Sequence, residues 1–344
     1  MTDAWRDAMQ TVLGGGSLDR AAAHQLMATA MTGELSAVRV AALISALATR
    51  RETVDELVGF ATAMRALAVP LPGATDAVDT CGTGGSGLAT VNTSTMSAFV
   101  LAAAGVRVAK HGNRASSGRC GSSDVLEALG VPVSAGPQAA AQLIAETGLC
   151  FLFAPRYHPA MKHVMPVRRE LGFRTVFNFL GPLANPAAVQ RQLLGVSDVG
   201  RAPAMVAALA ALGVHRALVV CGEDGLDEFS LAAPTRVWSL DAGVVVESVV
   251  TPESVGLATV PFAAIAGGEA ADNVRLLRAI LDGSERGPHR DHLILNAAGG
   301  LLVAGRVEDL RAGVALAAEL IDTGAVSDRL ARFQRAAVAL EASK

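Results

Sequence analysis

The sequence predicts an α/β domain preceded by a small all-helical domain, and three observations predict it. The chain has 344 residues, more than a single hydrophobic core usually organises. Residues 1–68 carry apolar side chains at helical spacing, and that pattern stops at Val69-Pro70-Leu71-Pro72-Gly73, a stiff break. Beyond it, short apolar runs alternate with helix-like segments, and polar, charged or glycine-bearing stretches follow the runs. That is the pattern of a sheet with ligand groups at the carboxyl ends of its strands.

The elements can be read in order. Leu18, Ala22, Leu26 and Met27 fall on one helical face, and the run breaks at Met31-Thr32-Gly33-Glu34. A second periodic segment covers Val38 to Leu47. Thr53 followed by Glu56 forms a capping-box pattern ahead of Leu57, Phe60, Ala61 and Met64. No catalytic cluster falls in these helices, which suits a packing or dimerisation domain. Strands are expected at Ala77–Asp79, Arg107–Ala109, Leu149–Phe153 and Ala217–Val220. Phe229 to Leu240, interrupted by Ala233-Pro234, reads as a hairpin or an irregular excursion. Residues 291–322 return to helical periodicity, and Ser327 to Leu340 reads as a final helix.

Composition excludes several functions. Lys+Arg total 29 against 32 Asp+Glu, a net charge of -3, without the basic excess of a nucleic-acid binder. Mean hydropathy is +0.40. The longest uncharged stretch, Thr80 to Val106, nevertheless holds Thr90, Asn92, Thr93, Ser94, Thr95 and Ser97 among its polar residues, besides its glycines, and Ala202 to Val214 is too short to span a bilayer. No membrane span and no signal peptide are expected. The four cysteines, Cys81, Cys120, Cys150 and Cys221, lack zinc or CxxC spacing and read as free thiols in a reducing, cytoplasmic compartment.

The chemistry-bearing motifs follow the expected strands. Gly82, Gly84 and Gly87 formally satisfy GxGxxG, but the next strand ends in Lys110-His111 rather than in the acid that would hold a nucleotide ribose. No Lys-Ser or Lys-Thr follows the glycines, so this is not a Walker loop either. What remains is a backbone donor loop for phosphate or pyrophosphate, with an ordinary tight turn as the plain alternative. Asn92, Ser94 and Thr95 sit at the start of an apolar helix, a second anion site or a plain N-cap. Lys110, one of three lysines in the chain, is the candidate phosphate counter-charge. His158 is either a structural histidine or a substrate contact. Among the cations of 167–174, one facing the cleft could pair with a carboxylate. Asp227 and Glu228 form a dense acidic pair after a buried-looking strand, suited to Mg²⁺ or else to a solvated turn. No nucleophile triad is evident.

Gly82-Thr83-Gly84-Gly85, Asn92-Thr93-Ser94-Thr95, Lys110-His111-Gly112-Asn113-Arg114, Asp124 to Gly130, Val167 to Leu183 and Leu226-Asp227-Glu228 occur in this order. In this the chain resembles the anthranilate phosphoribosyltransferase family, of the nucleoside-phosphorylase-like class. The resemblance implies a mostly parallel central sheet and transfer of a phosphoribosyl group from 5-phosphoribosyl 1-pyrophosphate (PRPP) to anthranilate, with Mg²⁺ as cofactor. It also implies a homodimer joined through the helical domains. The implied division is 1–70, completed by helices from about 159–183, against 74–158 and 184–344. Implied PRPP contacts are Gly82, Gly84, Gly85, Asn92, Ser94, Thr95, Lys110 and Ser117. Implied anthranilate contacts are Gly82, Asn113, His158 and Arg168, with Lys110 and Arg168 as catalytic groups. Implied metal ligands are Ser94, Asp227 and Glu228. Ser86 stands where many members carry Asp. The alternatives are a pyrimidine-nucleoside phosphorylase and a non-catalytic member that binds nucleic acid, the latter opposed by the charge balance.

Overall fold

A computed structural model describes residues 2–115 and 120–342. The amino-terminal region folds into α1 (Thr2–Leu13), α2 (Arg20–Met31), α3 (Ala37–Arg50) and α4 (Val54–Ala66). The capping box forms: Glu56 N–H donates to Thr53 Oγ1 at 3.3 Å and Thr53 N–H to Glu56 Oε2 at 2.8 Å. Glu56 is fully buried and also accepts from Leu18 N–H and the Arg50 guanidinium, so its charge is paired and its lone pairs are used.

The larger region runs β1 (Val78–Gly82), α5 (Thr93–Ala103), β2 (Val108–Gly112), α6 (Ser122–Ala128), α7 (Pro137–Thr147), β3 (Leu149–Phe153), α8 (Ala154–Tyr157), α9 (Met165–Leu171) and α10 (Phe177–Leu183). It continues with β4 (Arg191–Gly195), α11 (Ala202–Ala211), β5 (Arg216–Gly222), β6 (Thr235–Asp241) and β7 (Val244–Val250). Helices α12 (Ala270–Leu281), α13 (Pro288–Val303), α14 (Leu310–Asp322) and α15 (Ala325–Ala342) complete it. Among the described residues the strands form one sheet of order β3-β2-β1-β4-β5-β6-β7. The pairs from β3 through β5 are parallel, and β6 and β7 join antiparallel.

Three strands run further than the apolar pattern indicates, among them β5, which extends to Cys221-Gly222. β1 continues through Cys81-Gly82 and β2 through Lys110-His111-Gly112, so these polar residues lie in the sheet and not in the loops after it. β4 was not anticipated. It opens with Arg191 and Gln192, yet Gln192 is buried and donates to Pro182 O at 2.8 Å, which satisfies its amide inside. The segment 229–240 divides into an irregular stretch and β6, whose hairpin partner is β7.

The chain builds outward from β1 in both directions, through β2 and β3 on one side and β4 and β5 on the other. β1 is therefore the switch point of the sheet, where a crevice opens at the carboxyl ends. One core covers one face of the sheet beneath α5, α7, α13 and α15. The other joins α1–α4 to α9, α10 and α11 and to Leu194, Val219 and Trp238 on the opposite face. No helix among the described residues is long and apolar enough to cross a membrane.

Candidate active site

A cavity of about 420 Å³ opens at the carboxyl ends of β1 and β2. Its walls are the 82–87 glycine loop, Thr90, Asn92 and Ser94, the 110–115 stretch, and the Asp227-Glu228 pair.

The glycines are needed first to let the acidic pair approach. A Cβ on Gly82 would lie 2.5 Å from Asp227 Oδ2, and one on Gly195 would lie 1.6 Å from the Asp227 carbonyl oxygen. Gly82 and Gly195 are register partners on adjacent strands, so together they form a notch that Asp227 fills. Gly84 adopts φ +65°, a left-handed conformation open to glycine, and its N–H donates to Asp227 Oδ2 at 2.7 Å. Glu228 Oε2 accepts from Thr90 Oγ1 at 2.9 Å. Burial, and then the adjacent Asp227 charge, push Glu228 up to about 8, and burial also raises Asp227.

These residues fit a hard divalent cation. Two neighbouring, partly buried carboxylates repel one another, and the Ser94 hydroxyl lines the same cavity. Among the described residues no group of three or more His, Cys, Asp and Glu is arranged around a metal position. Two carboxylates and a hydroxyl are oxygen donors of the kind Mg²⁺ takes alongside waters and substrate phosphates.

Lys110 is only 2 % exposed. Its Nζ donates to Thr80 O and lies 3.4 Å from Ser94 Oγ, at the cavity floor. Burial lowers its pKa while the Asp79 charge opposes that shift. Asp79 is completely buried, accepting from His111 N–H at 3.1 Å and from Asn185 Nδ2 at 2.8 Å. Asp79 and Asn185 were missed in the sequence. The available signal was an acid inside an apolar run, a combination that burial tolerates only with a partner.

Asn92 adopts a left-handed conformation (φ 56°), and its side chain is already engaged. Its Oδ1 accepts from Asn273 Nδ2 and its Nδ2 donates to Cys120 O, so it braces α12 against the loop before α6. The Thr95 hydroxyl is buried without a partner and does not line the cavity. Gly85 (φ +78°) packs against the Arg174 guanidinium, where a Cβ would meet Cζ at 2.8 Å. Arg174, also unanticipated, donates to Ser197 Oγ at 2.6 Å and to Gly85 O. Ser117 lies outside the described residues.

The remaining positions are spread behind one wall. Asn113 lines the cavity, and its Oδ1 accepts from Arg114 N–H at 2.8 Å. His111 Nδ1 lies 3.1 Å from Gly181 O, which assigns its proton there and leaves Nε2 as an acceptor without a protein partner. His158 is buried behind it, ring centroids 5.1 Å apart. Burial lowers His111 to about 3, aided by His158, and lowers His158 to about 4, so both rings are neutral at pH 7. Arg168 on α9 lies over the Phe177 ring at 5.3 Å, without a carboxylate in salt-bridge range among the described residues. Neither His158 nor Arg168 lines the cavity itself.

Comparison with known proteins bears on this arrangement. Residues 74–327 match the description "Glycosyl transferase family, a/b domain" and residues 6–68 match "Glycosyl transferase family, helical bundle domain". The anthranilate phosphoribosyltransferase of Thermomicrobium roseum is 50% identical over 331 residues, 95% of this chain and 95% of that protein. That of Rubrobacter xylanophilus is 46% identical over 330 residues, 96% of each. The Thermus thermophilus anthranilate phosphoribosyltransferase structure superposes with a TM-score of 0.91 at 44% identity, covering 96% of this chain and 99% of that one. The Saccharomyces cerevisiae enzyme, solved in complex with PRPP and Mg, gives 0.90 at 25% identity, covering 98% and 99%. With its helical bundle, its switch-point cleft and this similarity along nearly its whole length, the chain belongs to the anthranilate phosphoribosyltransferases.

Proposed function

We propose that this protein transfers the 5-phosphoribosyl group of PRPP to the anthranilate amine, giving N-(5-phosphoribosyl)anthranilate and pyrophosphate, with Mg²⁺ as cofactor. The observation that carries the reading is the partly buried Asp227-Glu228 pair beside the glycine loop, with Lys110 on the floor of the same cavity. When bound, Mg²⁺ would neutralise negative charge on the departing pyrophosphate. Asp227, Glu228 and the Ser94 hydroxyl would hold it. Gly82, Gly84, Gly85, Asn92, Ser94, Thr95, Lys110 and Ser117 remain the proposed PRPP contacts, with Asn92 and Thr95 contributing through backbone geometry.

Gly82, Asn113, His158 and Arg168 are the proposed anthranilate contacts. Arg168 has no carboxylate of its own and is available to meet that of the substrate. The aromatic amine is already neutral near pH 7, so its lone pair attacks C1 as the bond to pyrophosphate breaks. The bonding electrons leave with pyrophosphate, and the amine proton passes to solvent. The two neutral histidines leave Arg168 as the charge offered to the substrate carboxylate on that wall. Catalysis then rests on positioning and charge stabilisation rather than on a nucleophile.

The partition into 1–70 with about 159–183, and 74–158 with 184–344, is supported by the core that α9 and α10 share with α1–α4. Exposed Leu13 and Val38 are apolar side chains open on the helical domain, in keeping with a homodimer through that domain, and a cytoplasmic location fits four free thiols. The decisive assay is decay of anthranilate fluorescence with PRPP and Mg²⁺. No decay with folded protein, or phosphorolysis of thymidine instead, would reject the reading.

A further inference from the structure

We infer that one face of α13 is a clamp that sets the distance between the Ser94 hydroxyl and the Glu228 carboxylate, with His292 as its bridging residue. This rests on the metal-site reading above. Three residues spaced four and three apart on α13, and so on one helical face, are devoted to Phe229, the residue directly after Glu228. Asn296 Oδ1 accepts from Phe229 N–H at 2.9 Å while its Nδ2 donates to Phe229 O at 3.0 Å, so both polar groups of that residue are held. Gly299 leaves room for the Phe229 ring, since a Cβ there would lie 2.6 Å from Cε2. His292 Nε2–H donates to the same carbonyl at 2.9 Å.

The other edge of His292 reaches the opposite wall. Its Nδ1 accepts from Thr93 Oγ1 at 3.3 Å, and Thr93 immediately precedes Ser94. The ring is completely buried, and Nε2 lies 3.6 Å from Glu228 Oε2, beyond a hydrogen bond. His292 therefore touches the neighbours of two proposed ligands and acts as a positioning residue. Each of its nitrogens is used, and no solvent competes for them.

The test is Mn²⁺ affinity with PRPP present, read from the electron paramagnetic resonance signal of free Mn²⁺, together with separate KM values for the two substrates. Loss of an outer partner of a metal ligand weakens metal binding by about 10- to 100-fold, and His292 acts one residue removed from each proposed ligand, so its loss should reach the lower end of that range. His292→Leu should fall in that range and raise KM for PRPP, leaving KM for anthranilate within about twofold, and His292→Gln, which keeps a donor, should recover much of the loss. A His292→Leu protein that melts earlier but binds Mn²⁺ as wild type overturns the clamp. So does an equal rise in both KM values. If His292→Leu does not fold, Thr93→Val decides, because it removes one end of the bridge at constant shape: a weakened Mn²⁺ affinity supports the clamp and an unchanged one refutes it. Glu228→Gln separates the two readings. Unchanged Mn²⁺ affinity there removes the metal site and the clamp with it, whereas weakening there but not in His292→Leu removes the clamp alone.

Discussion

Replacing Gly82 with Ala perturbs the proposed site by a known distance. The added methyl would stand 2.5 Å from Asp227 Oδ2, whereas ordinary contact begins at 3.4 Å. Either the carboxylate or the strand end must retreat by roughly 1 Å. The strand is the stiffer of the two, because β1 is paired on both sides. Asp227 cannot withdraw freely either, because its own carbonyl oxygen fills the position above Gly195. The displacement therefore falls on the carboxylate and breaks its 2.7 Å bond to Gly84 N–H. A misplacement of about 1 Å in a catalytic array costs about 100-fold, or about 2.7 kcal/mol of transition-state stabilisation. The assay is kcat/KM for PRPP from anthranilate fluorescence at saturating Mg²⁺. The same substitution in an Asp227→Ala background should have little further effect, since the two act through one contact. Activity of Gly82→Ala within threefold of wild type, or a full additional loss in the double variant, would refute the reasoning.

Arg168→Ala should raise KM for anthranilate at least tenfold while KM for PRPP stays within about twofold, given a charged bidentate contact; an effect confined to PRPP would reject that role. Asp79→Leu leaves the buried His111 N–H and Asn185 Nδ2 without their acceptor, and should cost about 1–3 kcal/mol for each unsatisfied donor, read as a shift in the urea midpoint. For His111 and His158 the folded pKa values, about 3 and 4, lie below the ordinary histidine value. The unfolded chain therefore binds more protons below about 6.5, and the stability from burying these rings neutral is complete above that pH. It should fall by roughly 1.4 kcal/mol per pH unit per histidine as pH drops toward 4, measured as ΔG of unfolding at pH 5 and pH 7, and His158→Phe should flatten the slope.

Much of the architecture was legible because its signals are local. The Thr53–Glu56 box, the break at 69–73 and the alternating runs each depend on a few consecutive residues. β4 was not legible, since its opening arginine and glutamine hide a strand whose glutamine is satisfied by Pro182, ten residues earlier in the chain but brought near only by folding. The same limit applied at the site. Its glycines, Ser94, Lys110 and the Asp227-Glu228 pair stood out by residue type. Their partners did not: Asp79 meets Asn185, and Glu228 meets Thr90, across more than one hundred residues of chain. Nor could spacing reveal that Asn92 has its side chain committed, or that Gly82 and Gly195 share one occupant.

The shared core of the helical bundle has a consequence for synthesis. Helices α1–α4 are complete once Ala66 has been made, but their apolar flank is covered by α9, α10 and α11 and by residues as distant as Trp238. At ordinary elongation rates the ribosome needs roughly 10 to 30 s to reach that tryptophan. Through that interval the nascent bundle carries open apolar surface along the flank that α9, α10 and α11 later cover. Truncated chains ending before α11 should therefore need a chaperone or precipitate, and the order of translation becomes part of how this enzyme is assembled.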